Sequence, residues 1–177
     1  MKKLFVTIFL ILSIFLVSCG ENEEKTEKLQ ESSINMSTTE TAVEGLLDDT
    51  ILYSENSDNK LDRDYFEYYF GNGDLLNGIT DYFFYTSATT SVSEAGAFKV
   101  KDSDTAKALL DAFDTRRDNL KAIYENYSPE DVGVAEKMIK GQNGDVVYFA
   151  MTKNEDNLKT IKDIFSGVLH LDVIDEK

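Results

Sequence analysis

The longest regular pattern of apolar positions begins just after Asp102. From Ala106, the residues Leu109, Leu110, Phe113, Leu120, Ile123, Tyr124 and Tyr127 recur at helical spacing and form one stripe over about six turns. The preceding run Asp102-Ser103-Asp104-Thr105 offers N-cap side chains and negative charge for the positive end of a helix. Ser128-Pro129-Glu130-Asp131 ends the pattern and starts a further short turn, because proline suits a first helical position.

Upstream, Leu61 to Phe70 predicts a second helix with Leu61, Tyr65, Tyr68 and Tyr69 on its apolar face and Gly71 as its stop. Gly71 to Asp74 and Asn77-Gly78 are turn signals. Ile79 to Thr86 carries aromatics on both faces, as suits a strand covered on both sides. In the strand Ser91 to Val100, alternation puts Val92, Glu94, Gly96, Phe98 and Val100 on one face. Ala95 and Ala97 lie on the other and would let a helix approach closely.

Met138 to Met151 reads as a hairpin turning at Asn143-Gly144. Asn154 then caps a helix whose inward face is Leu158, Ile161, Ile164 and Phe165. Val43, Leu46 and Leu47 fit a short helix ahead of an extended Thr50 to Tyr53, and Val168 to Ile174 alternates as an edge strand or a surface tail would. Two hairpins separated by helices predict an α+β domain: an antiparallel sheet of about four strands, with the long helix and shorter ones packed mainly on one face.

The first 41 residues follow other rules. Lys2 and Lys3 precede a charge-free run from Leu4 to Val17, which closes on Leu16-Val17-Ser18-Cys19. A helix of that length rises about 21 Å, short of the roughly 30 Å of a bilayer core, so it reads as a cleaved export leader. Leu16, Val17, Ser18 and Cys19 resemble the lipobox of bacterial lipoproteins. The resemblance implies that Leu16, Val17 and Ser18 are recognised by the signal peptidase, that residues 1–18 are removed, and that Cys19 carries a diacylglyceryl group. Two chains on one residue give stable anchoring where a single chain holds only marginally. The alternatives are an ordinary secretory signal with a chance cysteine and an uncleaved anchor. After Cys19, residues 20–41 hold only Leu29, Ile34 and Met36 as sizeable apolar groups, so 19–41 is expected to be a lipidated, acidic, disordered tether and 42–177 a single globular domain.

Charge narrows the partners. The chain carries a net −15, which loss of Lys2 and Lys3 would take to −17. Such a surface repels phosphates, so nucleic acid is not an expected partner. The expected partners are the membrane, through Cys19, and an envelope protein or cell-wall component. With its single cysteine lipidated, the folded part would have no internal disulfide and would rest on its hydrophobic core.

The pattern Glu94-Ala95-Gly96-Ala97-Phe98-Lys99-Val100-Lys101, the long helix with Arg116 and Arg117, Tyr127-Ser128-Pro129-Glu130 and the glycine hairpin resemble a domain of unknown function. That domain occurs mostly in lipoproteins of low-GC Gram-positive bacteria. The resemblance spans about Leu61 to Phe165 and implies no activity.

Candidate chemistry is sparse. His170 is the only histidine, which leaves little for a histidine-based triad or zinc site. Asn56, Asp58, Lys60 and Glu67 fall on calcium-loop positions, but Lys60 stands where an oxygen ligand belongs and Leu61 replaces the turn glycine. A looser calcium site at Asp58, Asp62 and Asp64 competes with a solvated loop. No phosphate loop is present, and no metal or cofactor is expected. Glu94 with Arg116 or Arg117 is expected to form a structural ion pair between strand and helix. Tyr65, Tyr68, Tyr69, Tyr82 and Tyr85 are the candidate ligand surface, since tyrosines present an apolar face and a hydroxyl to a glycan or peptide. Helical and strand spacing otherwise makes most of them core. A non-catalytic surface module is the leading reading. Its rivals are an envelope hydrolase with paired carboxylates and a small solute-binding lipoprotein.

Overall fold

A computed structural model describes residues 28–89, 91–169 and 171. Its centre is a five-stranded antiparallel sheet in the order β1-β2-β3-β5-β4. The strands are β1 (Thr50–Ser54), β2 (Ile79–Ser87), β3 (Glu94–Val100), β4 (Ile139–Asn143) and β5 (Val146–Met151). The helices are α1 (Met36–Glu44), α2 (Arg63–Phe70), α3 (Ser103–Tyr124), α4 (Pro129–Glu136) and α5 (Glu155–Phe165), with a 3-10 turn at Gly73–Gly78. The α+β class read from the sequence is the class of the fold. The fifth strand is β1, which pairs along β2 from Thr50↔Ser87 to Ser54↔Phe83.

Both faces of the sheet are covered, rather than mainly one. Alternation along β2, β3 and β5 sends Phe84, Phe98, Val147 and Phe149 to one side, under α2, α3 and α4. It sends Phe83, Ala95, Ala97 and Ala150 to the other, where Val43 of α1 and Ile161 and Phe165 of α5 pack. The small Ala95 and Ala97 leave room for that second layer.

The first layer is built from rings. Phe70 lies 4.8 Å from Phe66, 5.3 Å from Phe84, 5.5 Å from Phe98 and 5.8 Å from Phe113, centroid to centroid. The inward face of α2 is therefore Phe66 and Phe70, one turn apart, instead of Leu61, Tyr65, Tyr68 and Tyr69. Asp62 caps the helix by accepting the Tyr65 amide at 2.8 Å, which leaves Leu61 outside it but still buried. The two phenylalanines have no hydroxyl to hydrate, so they take the dry side and turn Tyr65 and Tyr68 to solvent.

The α3 cap and the hairpin turn follow the sequence. Asp102 accepts the Thr105 amide at 2.8 Å. The two-residue loop between Asn143 and Val146 has Gly144 at φ 57°, a conformation that costs other residues strain.

The expected tether up to residue 41 is partly folded. Leu29, Ile34 and Met36 are half-buried against the two cores, Thr39 is buried, and Asn35 caps α1 through the Thr38 amide. Three apolar side chains sufficed because the rest of the domain offers them a preformed surface. Val168 and Leu169 are exposed and form no strand. Residues 1–27, His170 and 172–177, with the leader, Leu16, Val17, Ser18 and Cys19, lie outside the described residues. Among the described residues no helix is long and apolar enough to cross a membrane.

Candidate functional site

The alternation that faces Phe98 and Val100 toward α3 also places Glu94, at the start of β3, on that side of the sheet. Arg116 lies one turn before Leu120 and two turns after Leu109 on α3, hence on the buried stripe. The two meet in a bidentate pair. Arg116 Nε donates to Glu94 Oε2 at 3.1 Å and Nη2 to Oε1 at 2.5 Å. Thr86 Oγ1, across the β2–β3 hairpin, donates to Oε1 at 2.8 Å. Glu94 is 3% exposed and Arg116 9%, so the pair is removed from water. Burial lowers the Arg116 pKa, but the Glu94 charge and hydrogen bonds outweigh it and hold it above the usual guanidinium value. Arg117 points elsewhere: it bonds Asp114 at 2.8 Å and Asp118 at 3.0 Å on the outer face of α3.

The pair forms part of the wall of a cleft of about 260 Å³ between α2, α3 and the β2–β3 connection. Tyr68 and Tyr69 line it from α2, Leu120, Ile123 and Tyr124 from α3, and Ser87, Thr89 and Ser91 from the hairpin side. The Arg116 guanidinium carbon stands 5.1 Å from the Tyr69 ring centroid, a cation–π contact that keeps ring and fork in register. Burial, with Tyr53 beside it, pushes the Tyr69 hydroxyl up to about 12, so it remains a proton donor at any physiological pH. The Tyr124 hydroxyl, also raised by burial and then by Glu94, donates to the Ser91 carbonyl at 3.2 Å and fixes the hairpin connection to α3.

Of the five tyrosines singled out in the sequence, Tyr68 and Tyr69 line the cleft. Tyr65 is half-exposed beside it, 6.0 Å from Tyr53. Tyr82 is buried, with its hydroxyl accepting the Leu61 amide at 2.8 Å. Tyr85 is buried on the opposite face of the sheet, where its hydroxyl donates to the Glu40 carbonyl at 3.3 Å. Thr86, Ser91 and Tyr124 were not singled out as site residues. Thr86 closes a strand eight residues before Glu94, a spacing that a hairpin folds together, and this was the one signal for it.

Elsewhere the chemistry is weaker. Asp131 is buried on α4, with Lys153 Nζ 2.7 Å from its Oδ1. Asp58 lies in a loop, Asp62 is spent on the α2 cap and Asp64 is in the first turn. Among the described residues no three His, Cys, Asp or Glu side chains are grouped to hold a metal ion. A smaller hollow of about 70 Å³, walled by Ser33, Ile34, Asn35, Thr39, Gly167 and Leu169 among others, has no charged side chain in its wall among the described residues.

No curated protein and no solved structure matches the chain. The pattern of one family, described as Domain of unknown function (DUF4358), matches residues 53–152. That span runs from within β1 to just past β5 and contains every side chain that lines the cleft. By a match over more than half of its length, the chain belongs to the DUF4358 family, a domain of unknown function.

Proposed function

We propose that this protein is a lipoprotein held to the outer face of the membrane through a diacylglyceryl group on Cys19. Its folded part is a non-catalytic binding module for a component of the cell envelope, received in the cleft beside Glu94 and Arg116. The membrane attachment is supported by the charged start, apolar run and Leu16-Val17-Ser18-Cys19 of the leader.

One observation carries the binding reading. Among the described residues Glu94 is the only carboxylate lining the cleft, and both of its oxygens are already held by Arg116, with Thr86 on one of them. Glycoside-type hydrolysis needs two carboxyl groups facing the scissile bond, roughly 5–10 Å apart, with one free to exchange protons. A single locked carboxylate serves neither role.

Mass spectrometry of the purified protein tests the attachment. The expected mature terminus is Cys19 bearing acyl chains, and Cys19→Ser should move the protein from the membrane to the soluble fraction. A terminus at Met1 or an unmodified thiol would overturn it. Incubation with envelope polymers tests the second half, where turnover abolished by Glu94→Gln would replace binding with catalysis.

A further inference from the structure

The cleft also defines what it can hold, given that it is a binding site. Its volume of about 260 Å³ falls just below the usual range for ligand pockets, roughly 300–1,000 Å³, and suits one or two rings rather than a folded partner. Among the described residues its one cation and one anion are paired with each other. An anionic ligand would have to compete with Glu94 for Arg116, inside a chain of net charge −15, and a cationic ligand would have to compete with Arg116 for Glu94. Charge compensation at the floor therefore favours a neutral guest.

What remains for that guest is directional and uncharged. A guanidinium has five N–H donors in a planar fork, and Nη1 of Arg116 has no acceptor among the described residues. The Ser87 and Thr89 hydroxyls stand on the hairpin wall, bonded to each other and to the loop backbone, with lone pairs left to accept from a guest. On the α2 side are rings, of which Tyr68 and Tyr65 are exposed while Tyr69 and Tyr53 are half-buried against the core. Tyr68 is 75% exposed and lies 5.1 Å from Tyr69, and Tyr69 lies 6.1 Å from Tyr53, which in turn is 6.0 Å from the half-exposed Tyr65. Exposed rings next to hydroxyls and a guanidinium N–H match a pyranose, which has C–H faces and an equator of hydroxyls.

We propose that the cleft binds a neutral saccharide chain, with one ring against the exposed Tyr68 beside Arg116 and its continuation lying toward the exposed Tyr65. This rests on the binding-module reading and names its ligand class.

The test titrates the full-length lipidated protein in nanodiscs with chitotriose, cellotriose and maltotriose, and in parallel with trialanine and trigalacturonic acid. At least one neutral trisaccharide should bind, with Tyr68→Ala weakening it about tenfold or more while leaving the unfolding midpoint unchanged. Tyr127→Ala, an exposed tyrosine outside the cleft lining, should leave the affinity alone. Failure of all three neutral sugars, or indifference to Tyr68→Ala, overturns the proposal. Binding of trialanine or of the acidic sugar in their place overturns it while leaving the binding module standing. Cleavage of any probe would overturn both.

Discussion

The Asp145 carboxylate in the β4–β5 turn accepts the Ser32 amide at 2.8 Å, joining positions 113 apart in sequence. The leading segment thus crosses the tip of a hairpin instead of hanging free. Gly144 makes this crossing feasible. A Cβ there would lie 2.6 Å from the Gln30 carbonyl oxygen and 2.7 Å from the Ser32 nitrogen, on a backbone with φ 57°. Gly144→Ala should cost about 1–2 kcal/mol from the left-handed conformation alone, and more from the clash. Hydrogen exchange should show faster exchange at residues 30–34. Unchanged protection there would mean that the crossing contributes nothing.

Glu94 and Arg116 should behave as a coupled pair. Removing either partner strands a buried charge, so Glu94→Leu and Arg116→Met should each cost about 3–5 kcal/mol in urea unfolding. The double replacement Glu94→Leu with Arg116→Met should recover most of that. Arg117→Ala removes only surface contacts to Asp114 and Asp118 and should cost less than about 1 kcal/mol. Additive single effects in the double-mutant cycle would show that the pair is not coupled.

Asp102 gives the fold a pH-dependent component. The Thr105 amide, then the Thr105 hydroxyl, hold its carboxyl below the ordinary value of 3.8. The folded chain gives up this proton more readily than the unfolded one, so the stabilisation is complete above about 3.8 and is lost as pH falls through the lower folded value. At neutral pH Asp102→Ala should cost about 1 kcal/mol. The gap between mutant and wild type should close in acid. Asp102→Asn keeps an acceptor oxygen and should retain most of the cap without that dependence.

The two sides of α2 should respond differently. Phe70→Ala, at the meeting of α2, α3 and the sheet, should lose about 3–5 kcal/mol. Tyr68→Ala, on the opposite side, should stay within about 0.5 kcal/mol of wild type. Calorimetry of the two variants decides which stripe is the inner one.

That stripe shows where sequence reading stops. Leu61, Tyr65, Tyr68 and Tyr69 obey helical spacing as well as Phe66 and Phe70 do, and periodicity alone does not separate a phenylalanine from a tyrosine as the drier ring. On α3 the stripe was legible, but spacing left Arg116 and Arg117 open, since Arg117 stands four residues after Phe113 and three before Leu120; the pairing of Arg116 with Glu94 is a tertiary fact. The Tyr85 ring was legible as strand, but its face was not, since β2 has aromatics on both sides and two layers to bury them. Helix α1 was undercounted because its few apolar groups gain their worth from a surface formed by β2, about forty positions later, and by α5, more than a hundred later. The cleft itself was not legible: Tyr69, Thr86, Glu94 and Arg116 come from four elements, and their meeting is tertiary.

Strand β3 separates two ends of the molecule. Ser32 is secured at Asp145, beside the Lys99 end, while the cleft opens at the Glu94 end, about 17 Å away along the strand. On the proposed attachment through Cys19, the moored end and the cleft would lie at opposite ends of β3, so a ligand would reach the cleft from the end away from the mooring.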